Sequence, residues 1–349
     1  MSPKGAPRRR GVRIALAALV ALAAVLGGLV ARQNTYDLRE EVVTIRRGGQ
    51  ALEGVLALPE QGKGPFPLVV FVHGDGPVDA THDTFYRPIW ESFARAGYAS
   101  LSWNKPGVRG APGDWLDQSM DDRAQEAVDA IAWARQRPDV DGGRIGLWGA
   151  SQAGWVLPKI AAKDPGIRFA IAVSPAVNWH RQGRYNLFAE LRRDGASDTE
   201  ITAALRRRET GLELLGRGAS YEEYVHAVGD PQGMTAARWR FVSKNHTADA
   251  SADLPALRRM PVLLVLAGHD VNVDVAETEA AYRRLLPEPA LRVAHYPDAT
   301  HGLVKHDVEN SSLRLTLTAL CAPRALFADG FLEDQRQFLA SVGARGAKR

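Results

Sequence analysis

Ser151 stands in Leu147-Trp148-Gly149-Ala150-Ser151-Gln152-Ala153-Gly154-Trp155-Val156, between an apolar run and a helical pattern, with small residues on both sides. A serine so placed is either a helix N-cap or a nucleophile on a tight strand-to-helix turn. A hydroxyl needs a base to attack a carbonyl at neutral pH, and the base needs a carboxylate to orient it. Of nine histidines, His301 in "PDATHGL" follows the last predicted strand and precedes a glycine, so its ring can reach back over the sheet edge. His73 ends an earlier strand and reads as shaping a loop. His295 lies inside a strand pattern and His306 among charges, so both read as structural or solvent-exposed. Asp270 and Asp274 follow a buried run in "LLVLAGHDVNVDV". Asp270 sits at the strand's carboxyl end and is the favoured acid, while Asp274 can cap the next helix. The turn His73-Gly74-Asp75-Gly76-Pro77 can aim backbone N–H groups at a developing oxyanion. The N–H of Gln152, directly after the serine, would be the second donor.

These residues need a frame to bring them together. "EVVTIRR" (41–47) and "ALEGVLALP" (51–59) read as a hairpin around Gly48-Gly49. The runs at 67–74, 98–104, 144–150, 169–175, 261–268 and 291–297 read as buried strands. Helical patterns at 84–96, 119–137, 151–163, 275–286 and 331–342 lie between or after them. The alternation predicts an α/β protein, with a mostly parallel central sheet flanked by helices. Residues 176–255 hold polar helical segments and no strand, and are expected to form a helical cap over the carboxyl ends of the sheet. The expected division is a first core part (32–175), the cap insertion (176–255) and a second core part (256–349). The segment 303–330 has no sequence-level account.

The 45% hydrophobic and 24% charged content is that of a globular protein. The net charge of +4 owes much to Lys4, Arg8, Arg9, Arg10 and Arg13. The rest of the chain is near neutral and gives no argument for nucleic-acid binding. A single cysteine, Cys321, excludes an intrachain disulfide. The histidines show no metal-ligand spacing and no nucleotide loop is present, so no metal or cofactor is expected. After the basic tail (1–13), Ile14–Ala31 carries no charge, at the short limit for a membrane span. Its flanking positives favour a cytoplasmic N-terminus and a single-pass signal-anchor, with the body outside the cytoplasmic membrane. The alternative is a cleaved secretory signal, which gives the same location for the body.

The motifs "HGDGP" (73–77), "SWNKPGVRG" (102–110), "GASQAG" (149–154), "GHDVNV" (268–273) and "THG" (300–302) give the chain a resemblance to the α/β-hydrolase superfamily over about residues 40–345. Within it, the chain resembles bacterial serine hydrolases related to dienelactone hydrolases and acylaminoacyl-peptidases. The resemblance implies the α/β-hydrolase fold, Ser151 as nucleophile, Asp270 as acid and His301 as base, with oxyanion amides at Asp75 and Gln152. The order Ser, Asp, His is that of α/β-hydrolases. Two positions depart from the pattern: Ala153 holds the fifth place of G-x-S-x-G, with glycine one later at Gly154, and Asn104 stands where many relatives carry aspartate. The expected function is hydrolysis of an acyl ester, thioester or amide of a small-molecule substrate through an acyl-enzyme. Peptidase and acyltransferase action use the same triad, and a non-catalytic binding protein on a hydrolase fold is the other class. Glu222 and Glu223 could anchor a peptide amine but read better as a solvated helix face. Oligomeric state is not legible.

Overall fold

Residues 7–47, 50–229 and 233–346 are described by a computed structural model. The turn at Gly48-Gly49 and the start of the basic tail, including Lys4, lie outside the described residues.

Strand β3 (Phe66–Val72) shows why the chain builds a doubly covered sheet. Leu68, Val70 and Val72 join one apolar core, while Val69 and Phe71 join another. Side chains alternate across a strand, so an unbroken apolar run is apolar on both faces and needs helices on both. The other strands are β1 (Leu38–Arg47), β2 (Gln50–Pro59), β4 (Ala99–Trp103), β5 (Val140–Ala150), β6 (Ile167–Val173), β7 (Val262–His269) and β8 (Leu291–Thr300). They form one sheet in the order β1-β2-β4-β3-β5-β6-β7-β8. The β1–β2 and β2–β4 pairs are antiparallel and every other pair is parallel. The order reverses around β3, which lies between β4 and β5. Chain direction therefore diverges after β3 and β5, which makes their carboxyl ends the topological switch point of the sheet.

The helices are α1 (Pro7–Gln33), α2 (Arg87–Arg95), α3 (Met120–Ala134), α4 (Leu157–Lys163), α5 (Trp179–Arg193), α6 (Asp198–Gly216), α7 (Tyr221–Val228), α8 (Ala236–Asn245), α9 (Val275–Leu285), α10 (His306–Glu309), α11 (Ser312–Cys321) and α12 (Phe331–Gly346). The pattern at 151–163 does not form one α-helix. Ser151–Trp155 is a 3₁₀ turn and α4 follows, with Pro158 in its first turn, where a missing N–H costs nothing. Strand β5 starts at Val140, ahead of the expected residue 144, and reaches its regular pairing with β3 past an irregularity between Phe66 and Leu68.

Helices α5 to α8 are inserted between β6 and β7. An isolated antiparallel bridge between Asn178 and Asp249 closes the base of the insertion, with Asn178 Nδ2 donating to Asp249 Oδ2 at 2.8 Å. Capping boxes at Ser197 with Glu200 and Ser220 with Glu223 set the starts of α6 and α7. The segment 303–330 is an excursion through α10, α11 and a 3₁₀ turn at Pro323–Leu326, returning so that Val304 pairs with Phe327.

Helix α1 contains Ala15–Gln33, 19 residues with a mean hydropathy of 2.2 and none of it buried in the body. It is long and apolar enough to cross a membrane.

Candidate active site

The turn after β5 forces Ser151 into the left-handed region, at φ +57°. A non-glycine residue there is strained, and the surroundings must over-determine it. They do so through close backbone approach. The Ala176 N–H donates to the Ser151 carbonyl at 3.0 Å. A Cβ on Gly154 would lie 2.3 Å from the Ala176 carbonyl oxygen, so only glycine lets that strand end come so near. A Cβ on Gly149 would lie 2.7 Å from the Ala153 Cβ. The two positions are complementary: the methyl of Ala153, absent from a G-x-S-x-G elbow, fits because Gly149 leaves room for it.

The loop after β3 lies beside this elbow. A Cβ built on Gly74 would meet the Ser151 Cβ at 3.4 Å. The backbone N–H groups of Asp75 and Gln152 donate to no acceptor among the described residues. Cations hold the loop in place. Lys105 Nζ donates to the carbonyls of Gly74 at 2.6 Å and Gly76 at 2.8 Å. Arg123 donates to the His73 carbonyl and to Gln152 Oε1. Gln152 Nε2 donates to Asp75 Oδ1 at 2.9 Å, and Arg238 of α8 grips Asp75 with both terminal nitrogens, at 2.9 and 2.6 Å. Burial works to raise the Asp75 pKa, but the hydrogen bonds and charge of Arg238, with Lys105, outweigh it and hold the carboxylate below its usual range. Burial, with repulsion from Arg123, pushes the Lys105 ammonium well below its ordinary value. Burial and the nearby cation Lys105 hold His73 down at about 3. His73 is a neutral scaffold whose ring nitrogens lie 2.6 Å from the Trp103 carbonyl and 3.1 Å from the Tyr86 hydroxyl.

Asp270 follows β7, its side chain 1% exposed. Its Oδ1 accepts the N–H groups of Asn272 and Val273, both at 2.8 Å. Its Oδ2 lies 2.8 Å from Nδ1 of His301, which directly follows β8. A carboxylate can only accept, so Nδ1 carries the proton in this pair and Nε2 of a neutral ring keeps its lone pair. Asp274 accepts from the Glu277 N–H and caps α9. Neutral donors on α5 hold the Asp270 loop: Gln182 to the Asn272 carbonyl at 2.8 Å, Tyr185 to that of Asp270 at 2.8 Å and Asn186 to that of Val271 at 3.2 Å.

Ser151 and His301 stand at the carboxyl ends of strands running in the same direction, and no hydrogen bond joins them among the described residues. Such contacts commonly tighten only when substrate is bound. His295 is exposed and pairs with Glu279, and the His306 ring stacks on His269. Glu222 and Glu223 are exposed in the first turn of α7, where Glu223 belongs to the capping box.

Lys105, Arg123, Arg238 and Tyr185 escaped sequence reasoning. One of them left a signal: Arg123 sits on the buried stripe of α3 with Met120, Ala124, Ala127 and Ala130. A charge in an apolar helical stripe is rarely buried without a partner.

The folds of known hydrolases match this one. The Pyrococcus furiosus esterase Pf2001 superposes with a TM-score of 0.55 at 14% identity, covering 88% of this chain and 91% of that one. The Penicillium α/β-hydrolase GrgF gives 0.55 at 19%, covering 88% and 100%. In sequence, the chain is 26% identical to the uncharacterized peptidase YuxL of Bacillus subtilis over 42% of its own length. That match spans 23% of the relative, about a quarter of its length. It is 27% identical to the thiohydrolase apmlB of Arthrinium phaeospermum, over 62% of this chain and 76% of the relative. The family model for X-Pro dipeptidyl-peptidase (S15 family) matches residues 48–301, ending at the histidine after β8. By that match over well more than half its length, the chain belongs to the X-Pro dipeptidyl-peptidase family, S15, and is a hydrolase of the α/β-hydrolase fold.

Proposed function

We propose that this protein is a membrane-tethered serine hydrolase that cleaves an acyl ester of a small molecule through an acyl-enzyme. The observation that carries the reading is the 2.8 Å Asp270–His301 pair at the sheet rim that also bears Ser151 on its strained turn. Ser151 Oγ attacks the substrate carbonyl while His301 Nε2 takes its proton. Asp270 holds the resulting imidazolium through Nδ1–H. The N–H groups of Asp75 and Gln152 receive the oxyanion. As the tetrahedral intermediate collapses, the proton passes from Nε2 to the leaving oxygen. Water, deprotonated by His301, then releases the acid and restores Ser151. Relatives that are esterases by name, such as esterase EstD of Thermotoga maritima, 22% identical over 72% of this chain, support an acyl bond of this kind. In this reading helix α1, with its apolar window Ala15–Gln33, is the tether and the hydrolase body lies beyond the cytoplasmic membrane, as the positive charges ahead of the span favour.

The test combines a fluorophosphonate probe with acyl esters of graded chain length and X-Pro amides. The parent is expected to label at Ser151 and cleave esters, and Ser151→Ala to lose labelling and about 10⁶-fold in kcat. Full ester turnover by Ser151→Ala overturns the assignment. The family's name favours a second reading, release of X-Pro dipeptides. Faster cleavage of the amides than of every ester would select it.

A further inference from the structure

Helix α11 has an inner and an outer side. On the inner side Leu315 and Thr318 are half-buried, and Leu315 packs against the body. On its outer side Leu313, Leu317 and Leu320 are 67%, 52% and 63% exposed, and Cys321 beside them is exposed as well. Their spacing of four and three residues makes one continuous stripe along the helix. Large aliphatic side chains aligned on a surface mark an interaction face.

The end of α1 indicates what covers that face. Asn34, directly after α1, donates through Nδ2 to the Leu320 carbonyl at 2.8 Å. Arg324, just past α11, donates to the carbonyls of Gln33 and Thr35 and is ion-paired with Glu91 at 2.6 Å. The far end of α1 is thus tied to the C-terminal end of α11. The apolar window Ala15–Gln33 is about 28 Å long at ~1.5 Å per residue, close to the thickness of a bilayer's hydrocarbon core. A bilayer spanned by α1 ends at Gln33–Asn34, so Leu320 stands at the boundary between acyl chains and headgroups.

We infer that the outer stripe of α11 is a lipid-binding face, seated in that boundary beside α1, which docks the hydrolase body on the membrane at a fixed orientation. The inference rests on the reading of α1 as a membrane span. The occupant is phospholipid because the stripe continues the exposed apolar surface of α1 and carries aliphatic side chains alone. An interfacial helix buries such a stripe a few ångströms into the headgroup boundary.

The full chain is reconstituted in vesicles of phosphatidylethanolamine and phosphatidylglycerol, with a polarity-sensitive fluorophore on one cysteine at a time. Cys321 is the native reporter, and Leu313→Cys and Leu22→Cys are made in the Cys321→Ser background. Leu313 lies about 12 Å along the helix from Cys321, so it reports a seated helix rather than one touching lipid only at its end. Blue-shifted emission and quenching by lipids brominated in the acyl chain are expected at Leu313 as at Leu22. Leu317→Gln with Leu320→Gln should abolish quenching at position 313 and leave position 22 unchanged, with circular dichroism checking the fold. Quenching at 22 with a water-exposed 313 overturns the seat and leaves the tether standing. Exposure of both overturns seat and tether together, and quenching at 313 alone removes the span from which the seat is placed and so overturns the inference. A reporter at 313 shielded without lipid quenching, with Cys321 cross-linking between copies, assigns the face to a second copy and overturns the lipid occupant.

Discussion

The two loops that bracket Ser151 are held by different chemistry. The Gly74–Gly76 loop is fixed by cations: Lys105 on its carbonyls, Arg123 on its base and Arg238 on Asp75. The Asp270–Asn272 loop is fixed by uncharged donors of α5, Gln182, Tyr185 and Asn186. In both cases one helix of the insertion reaches down to one of the loops, α8 through Arg238 and α5 through its neutral donors. Partly exposed ion pairs respond to salt and acid, and buried or neutral hydrogen bonds barely do. Lys105 and Arg123 are buried, so the Arg238–Asp75 pair is the grip on the Gly74–Gly76 loop that the medium can loosen.

Four measurements bear on that contrast. The largest effect belongs to the side held by neutral donors. Asp270→Asn keeps the shape but disturbs the tautomer and removes the charge, and kcat should fall about 10⁴-fold with the fold intact by circular dichroism. A loss under tenfold would mean that Asp270 does not act on His301. Next, Arg238→Met should lower kcat/KM about fivefold at low ionic strength, roughly 1 kcal/mol for a partly exposed pair. The gap from the parent should close as salt is raised toward ~1 M, where the Debye length is about 3 Å. Tyr185→Phe, which removes one neutral hydrogen bond, should cost a similar factor, about 1 kcal/mol. Its ratio to the parent should be the same at low and high salt. A ratio that tracks salt for Tyr185→Phe and not for Arg238→Met would reverse the comparison.

The smallest effect is in acid. Asp75 is held below its ordinary pKa, so its ion pair contributes fully above the usual carboxylate range. That contribution is lost as pH falls through the lowered value. Protease nicking of α8 should rise in the parent only below about pH 4, where an ordinary aspartate begins to protonate. In Asp75→Asn the nicking should already be high at neutral pH and should lack this step.

Much of the frame was legible because it rests on local rules. All eight strand runs are apolar or β-branched enough to declare themselves, and the strand-free stretch after Pro175 holds helices α5 to α8. The single helix expected at 151–163 was not legible as two pieces. The break comes from the left-handed φ of Ser151 and the approach of Ala176, a residue on a different strand end. The span 303–330 was opaque because α10 and α11 are short and have no fully buried residue, so no single-faced apolar pattern marks them.

By itself the sequence determined which residues could carry the chemistry, their order along the chain and the apolar runs that fold into a sheet. Composition and periodicity are properties of neighbours in sequence, so they can be read there. The sequence also favoured Asp270 over Asp274 as the partner of His301, and tertiary structure alone decided which cations grip the Gly74–Gly76 loop. It also decided that Ala153 is tolerated because Gly149 is bare. These are matters of distances in space, across 31 residues for Lys105 and Gly74 and 163 for Arg238 and Asp75, and no local pattern encodes such distances.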